Sequence, residues 1–190
     1  LAFDGDTAAA RRVLAAYEPP DAAQADFRRR MLAFIDEHPG DAHRRTCLPG
    51  HLTAAAVVVD PSREAVLLTH HKKLGAWLQL GGHLDGDANL AAGALREGRE
   101  ESGIEGLAIE PVPIDLDIHS IPARPARGPD RPAEPEHLHL DVRFLVHAPP
   151  GAEAVVSDES HALRWVRPGE LAELGVDASV ARLFDLAFGR

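Results

Sequence analysis

Apolar residues recur along this chain in two rhythms, one of about 3.6 residues and one of two. The helical rhythm comes first. Residues 7–17 form a short helical stretch, and Asp21–His38 a longer one, with Phe27, Met31, Leu32, Phe34 and Ile35 on one face. Asp21 is placed to cap its start, and Pro39-Gly40 ends it. A connector over 41–50 leads into a change of rhythm. Leu52–Asp60 and Ala65–His70 are β-rich runs joined by Pro61-Ser62-Arg63, which predicts a hairpin or meander. Trp77–Leu80 is a short strand running into Gly81-Gly82, and helical periodicity returns over Ala88–Ser102 with Gly103 as its stop. Leu107–Ile118 reads as a strand interrupted by Pro111 and Pro113, hence an edge or bulged one. Residues 123–136 are a Pro- and Arg-rich loop. Leu138–His147 alternates as a strand, Leu163–Val166 is a short one, and Pro168–Leu174 and Asp177–Phe188 are closing helices. Mixed hairpin and crossover connections predict an α/β (α+β) fold, an α/β/α sandwich around a mixed sheet. The helical residues 1–49 precede it as an N-terminal extension, and 50–190 form the main domain.

Composition narrows the function. The 190 residues suit one domain, and 45% hydrophobic content is enough to build its core. A net charge of −10 repels phosphate backbones, so a nucleic-acid polymer is not the expected partner. The single Cys47 forms no internal disulfide, and neither a CxxC pair nor zinc-finger spacing is present. No apolar run reaches membrane-spanning length, and residues 1–17 lack the apolar stretch of a signal peptide. Cytoplasm is the expected location.

One segment carries the chemistry: "GGHLDGDANLAAGALREGREESGI", Gly81–Ile104. On a helix, Glu101 and Glu100 lie about 40° and about 60° either side of Glu97, while Ala91, Ala94, Leu95 and Gly98 share a sector suited to face a sheet. Like charges at this spacing cost about 0.2–0.5 kcal/mol per pair. A divalent cation reverses the sign, because hard ions such as Mg²⁺ take several oxygen ligands. A run of acids is usually a solvated face. Here it stands beside a double glycine, which admits close approach of a ligand to the backbone.

The segment resembles the Nudix box, G-x(5)-E-x(7)-R-E-U-x-E-E-x-G-U with U bulky and apolar. Gly82, Arg96, Glu97, Glu100, Glu101, Gly103 and Ile104 fill their positions at the required spacing. Two positions depart: Ala88 replaces the early glutamate, and Gly98 an apolar residue. The resemblance to the wider fold covers about Gly50 to Leu174. It implies a Nudix-type sandwich and a hydrolase of a diphosphate linkage, typically in a nucleoside diphosphate derivative, using Mg²⁺ (or Mn²⁺). It implies Glu97 and Glu101 as the leading metal ligands, then Glu100, with the Gly81 carbonyl completing the site and Arg96 orienting the carboxylates. Asp85 and Asp87 are candidates to compensate for Ala88. A general base from a later loop is implied, for which Glu159 is the candidate and Asp158 the alternative.

Outside the segment, His137, His139 and Asp141 alternate on one strand and share a face, as a metal site, a substrate pocket or a plain polar face would. With Gly82 and His83 they are the candidate substrate-binding residues, and the Pro-rich loop before them is a candidate lid. Lys72 and Lys73 at a hairpin end, and Trp77 and Trp165, are weaker candidates for phosphate and base contacts. Two other functions stay open. A non-catalytic Nudix-fold module binding a nucleotide or protein is favoured by Ala88. A Nudix-fold isomerase would need a well-placed cysteine, and Cys47 lies before the first strand. The expected partner is a small diphosphate compound, with no membrane; a homodimer is left open.

Overall fold

Seven strands form one mixed sheet in a computed structural model, which describes residues 2–126, 128, 133–158 and 160–189. Two helices, α1 (Thr7–Ala16) and α2 (Ala22–Glu37), precede β1 (Gly50–Val59), β2 (Val66–His71), β3 (Ala76–Leu78) and β4 (Leu80–His83). Then follow α3 (Leu90–Ser102), β5 (Ala108–Ile121), β6 (His137–His147), β7 (Ser160–Val166), a 3₁₀ turn, α4 (Leu171–Leu174) and α5 (Ala178–Phe188). Each long helix starts where a short polar side chain satisfies a free N–H. Asp6, Asp21, Asn89 and Asp177 accept from Ala8, Gln24, Ala92 and Val180 respectively. Because Asn89 is the cap, α3 begins two residues later than its periodicity predicts.

The strand order is β3-β2-β1-β6-β5. β1 and β6 run parallel over their whole length, from Gly50↔Leu138 to Val59↔His147. β2 meets β1 only at Val59↔Val66 and then pairs with β3 and β7. This frees the other end of β1 for β4, with Thr53 opposite His83 and Ala55 opposite Gly81. The predicted WLQL strand is therefore split at Gln79 between two partners. β5 pairs with β6 through register shifts on both sides of Pro113, the irregularity its prolines predict.

The two sheet faces are packed differently. Leu52, Ala54, Leu140, Val142 and Phe144 pack with Leu14, Met31, Ile35, Leu90 and Ala94 from α1, α2 and α3. The N-terminal helices thus share a core with the sheet. On the opposite face, Val57, Val59, Leu145 and Val66 meet Val180, Leu183 and Phe184 of α5. Gly98 lets α3 approach the sheet closely: a Cβ there would lie 3.1 Å from Ala56 Cβ and 3.4 Å from Leu107 Cδ1. The space left by a missing bulky residue is filled by the sheet itself and by Leu107.

Candidate active site

The Gly81-Gly82 turn is held against both β1 and α3. Gly81 has φ of 157°, and a Cβ there would fall 2.7 Å from Ala55 Cα, so only glycine fits this close pairing. A Cβ on Gly82 would fall 2.6 Å from Glu97 Oε2, so the Glu97 carboxylate rests directly on this glycine. Glu101, 6% exposed, accepts a hydrogen bond from the Gly81 N–H at 2.9 Å. Two acids one helical turn apart are thereby gathered at one turn of backbone. Arg96 clamps the arrangement. It donates to Glu97 at 2.7 Å, to Glu100 at 3.2 Å and to the His83 carbonyl at 2.7 Å, linking the end of β4 to the helix. Glu100 stands apart: its side chain is 60% exposed and turned toward Arg96.

Electrostatics mark Glu97. Burial pushes its carboxyl up to about 7, despite the adjacent Arg96 guanidinium, which pulls the other way. One guanidinium does not offset the desolvation. The donor set here is oxygen only, two carboxylates and nearby backbone, which suits a hard divalent ion such as Mg²⁺ or Mn²⁺. The residues present fit that ion.

Ala88 is fully buried, and the segment before α1 covers it. Its N–H donates to the Asp4 carbonyl at 2.5 Å, and the Asn89 amide donates to the Ala2 carbonyl at 2.9 Å. Asp87 is committed to the same strap, accepting from the N–H groups of Asp4 and Asn89. Asp85 is 57% exposed and 3.8 Å from both Arg45 and Arg96. Of the two aspartates considered as substitutes for the early glutamate, one is thus a structural cap and the other reaches the acids only through Arg96.

The end of the sheet face not covered by α5 is polar and buried. Asp141 lies in a closed network: it accepts from Thr53 at 2.9 Å and Arg143 at 2.8 Å. Arg143 also reaches Asp115, Asp117 and Ser179, and Arg182 grips Asp115 with two nitrogens. Gln24 of α2 joins through Asp115 and the Leu116 backbone. Asp141 therefore has a structural task. Beyond it lie the histidines. His137 and His139 do share a face, and the register adds His51 opposite His139 on β1 and His119 opposite it on β5. The His51 ring centre is 5.0 Å from that of His137, 4.8 Å from His139 and 5.1 Å from His83. Burial pushes the His51 and His83 imidazoles down to about 4 and His139 lower still, so these rings are neutral at pH 7. His51 was absent from the sequence-based candidates. Its signal was there, a histidine two positions before Thr53 at the head of a strand, but its neighbours depend on the β1–β6 register.

Glu159, the candidate base, lies outside the described residues; Asp158 is exposed, and its carbonyl accepts from Lys72 at 2.7 Å. Trp77 and Trp165 pack against the apolar clusters on the two sides of the sheet. Cys47 is a buried free thiol. Among the described residues, no helix is long and apolar enough to cross a membrane.

No curated protein matches the chain. Solved structures do. A NUDIX-family hydrolase from Clostridium perfringens aligns with a TM-score of 0.54 at 22% identity, over 73% of this chain and 96% of its own. An Ap4A hydrolase from C. elegans aligns at 0.53 and 18%, over 71% and 93%. The E. coli dihydroneopterin triphosphate pyrophosphohydrolase aligns at 0.53 and 17%, over 70% and 92%. At these identities the likeness is one of fold. The NUDIX domain profile matches residues 49–186, most of the chain and the whole of the sheet. The Gly82–Ile104 segment, the sandwich built around it and this match together place the chain in the NUDIX family of hydrolases.

Proposed function

We propose that the protein hydrolyses a diphosphate linkage in a nucleoside diphosphate derivative or a related small molecule, using Mg²⁺ or Mn²⁺ held by Glu97 and Glu101. The observation that carries this reading is the seating of these two shielded carboxylates against the Gly81-Gly82 turn. When bound, the cation supplies charge neutralisation for the phosphate oxygens and acidifies the attacking water. The chain's own residues do the rest. Glu97 and Glu101 hold the ion, with the Gly81 carbonyl as a further oxygen donor. Arg96 fixes the carboxylates relative to the β4 end, and Glu100 joins the ligand set if it swings away from Arg96. The open backbone at Gly82 and the His83 ring border the place where the diphosphate would sit, with His137 and His139 further along the same face. Glu159, immediately before β7 in the sequence, is the proposed base for the attacking water, with Asp158 as alternative. The free Cys47 accords with a cytoplasmic setting.

The substrate class is borrowed from the two named neighbours with phosphate-containing substrates, and loops outside the box would decide the compound. A second reading, a nucleotide- or protein-binding module without turnover, is supported by one observation: the early glutamate position is an alanine sealed under the N-terminal strap. The test is phosphate or monophosphate release from a panel of nucleoside diphosphate derivatives with Mg²⁺ or Mn²⁺. Turnover that falls about 100-fold in Glu101→Gln, or about 2.7 kcal/mol of transition-state stabilisation, is expected. Absence of turnover across the panel, with nucleotide binding retained, would select the binding module.

A further inference from the structure

We infer that His51, His137 and His139 form a second metal site, selective for a borderline divalent transition ion such as Zn²⁺, beside the carboxylate site and independent of it. The three side chains come from the heads of two parallel strands paired in register, and each offers a ring nitrogen within 4.8 Å of the others. His51 and His137 are 2% and 6% exposed. Neither nitrogen of His51 makes a hydrogen bond of good geometry, although the Cys47 carbonyl lies close enough to favour the protonated ring, and Nε2 of His137 and of His139 has no partner. Buried polar atoms are nearly always satisfied, so a cluster of such orphans needs a reason. An orphaned nitrogen alone selects nothing, since the isolated His43 has two. Three within 4.8 Å of one another do.

The tautomers agree with ligation. His137 Nδ1 is 2.9 Å from the Pro135 carbonyl, an acceptor, so Nδ1 carries the proton and the Nε2 lone pair faces the cluster. A histidine ligand that donates its other N–H to a carbonyl is the usual outer-shell arrangement at a metal. Glu134 Oε1, 3.8 Å from that Nε2, supplies nearby negative charge. His83 is excluded by the same logic: its Nδ1 lies 2.8 Å from the Arg45 guanidinium, which can only donate, so that lone pair is taken. Three imidazole ligands and no carboxylate in the first set favour Zn²⁺, Co²⁺ or Ni²⁺ over Mg²⁺ or Mn²⁺. Such a site leaves a fourth position open for water or a substrate oxygen. The His83 ring, 5.1 Å from His51, borders the cluster at the end of β4.

Co²⁺ titration of the untagged full chain, with excess Mg²⁺ present, reads the site by its visible d–d absorption and by equilibrium dialysis. One equivalent with a four-coordinate spectrum is expected. His51→Ala and His139→Leu should each weaken it by about 100-fold, at least the upper end of the ~10–100-fold losses seen for outer-shell changes. Two variants guard against one failing to fold, with far-UV dichroism as the check. Glu101→Gln should leave Co²⁺ binding unchanged, which separates this site from the proposed Mg²⁺ site and its activity. Cys47→Ser should also leave it unchanged, excluding the other metal-capable group among the described residues, His38, Asp41 and Cys47. Absence of a retained equivalent, or binding lost in Glu101→Gln or Cys47→Ser but kept in both histidine variants, overturns the inference.

Discussion

Two buried polar clusters lie along the same sheet face, and they differ in one respect. Around Arg143, 3% exposed, each guanidinium nitrogen donates to a carboxylate, Nε to Asp141 on its own strand and Nη1 and Nη2 to Asp115 and Asp117 on β5. Around His51, its own two nitrogens and Nε2 of His137 and of His139 have no hydrogen-bond partner of good geometry. A closed network ties elements together: here α2, β5, β6 and α5 meet at Asp115. An open one of the same burial costs stability unless something outside the chain completes it. The difference is visible without reference to any relative, and it sets Asp141, which accepts from Thr53 and Arg143, apart from the histidines on the same strand.

The comparison can be broken most directly at Arg143. Arg143→Ala leaves buried Asp115 and Asp141 without their shared cation, and about 3–5 kcal/mol of stability should be lost in urea denaturation. A loss under 1 kcal/mol would mean the network is not the brace described here. Next in size is the pH response of Glu97. Its carboxyl is raised from 4.5 to about 7 in the folded protein, so between these values the native state holds more protons than the unfolded state. In chelator, stability should therefore fall as pH rises through that window, by up to about 3 kcal/mol relative to Glu97→Gln. Added Mg²⁺ should remove the fall, because it stabilises the ionised form. An unchanged slope with Mg²⁺ would argue against Glu97 as a ligand.

Gly82→Ala is expected to have a smaller effect on rate and little on fold. The new methyl group displaces the Glu97 carboxylate, the free end of a flexible side chain, and kcat/KM should drop about tenfold, close to 1.4 kcal/mol. Full activity would show that Glu97 does not act from its present seat. The smallest effect sharpens the contrast with Arg143. His51→Leu removes two orphaned nitrogens at a buried site, so the metal-free protein should change by less than about 1 kcal/mol, or gain stability. The same variant should lose the extra thermal stability that Zn²⁺ gives the wild type, measured as a shift in Tm.

Much was legible because local rules were strong. Asp21 announced a helix start, Gly103 a helix end, and the alternation of Leu138–His147 a strand. The spacing from Gly82 through Arg96 to Ile104 set Glu97, Glu100 and Glu101 on one helix beside the glycine pair. Less was legible where a residue's role depends on who lies opposite. Asp87 appeared free to replace a missing carboxylate, yet it caps the strap that covers Ala88, from a segment more than eighty residues away in sequence. Glu100 had the same helical spacing as its neighbours, but Arg96 holds it toward solvent.

The sequence alone therefore determined the elements, the mixed α/β class and the acidic helix beside its double glycine, since periodicity, capping and motif spacing are local. Tertiary structure decided the rest. Parallel pairing of β1 with β6 set His51 against His139, and the departure of β2 from β1 made room for β4 and its glycines. Burial raised Glu97 and lowered His51, His83 and His139. Those outcomes depend on register and desolvation, properties of segments distant in the chain and in contact only when folded.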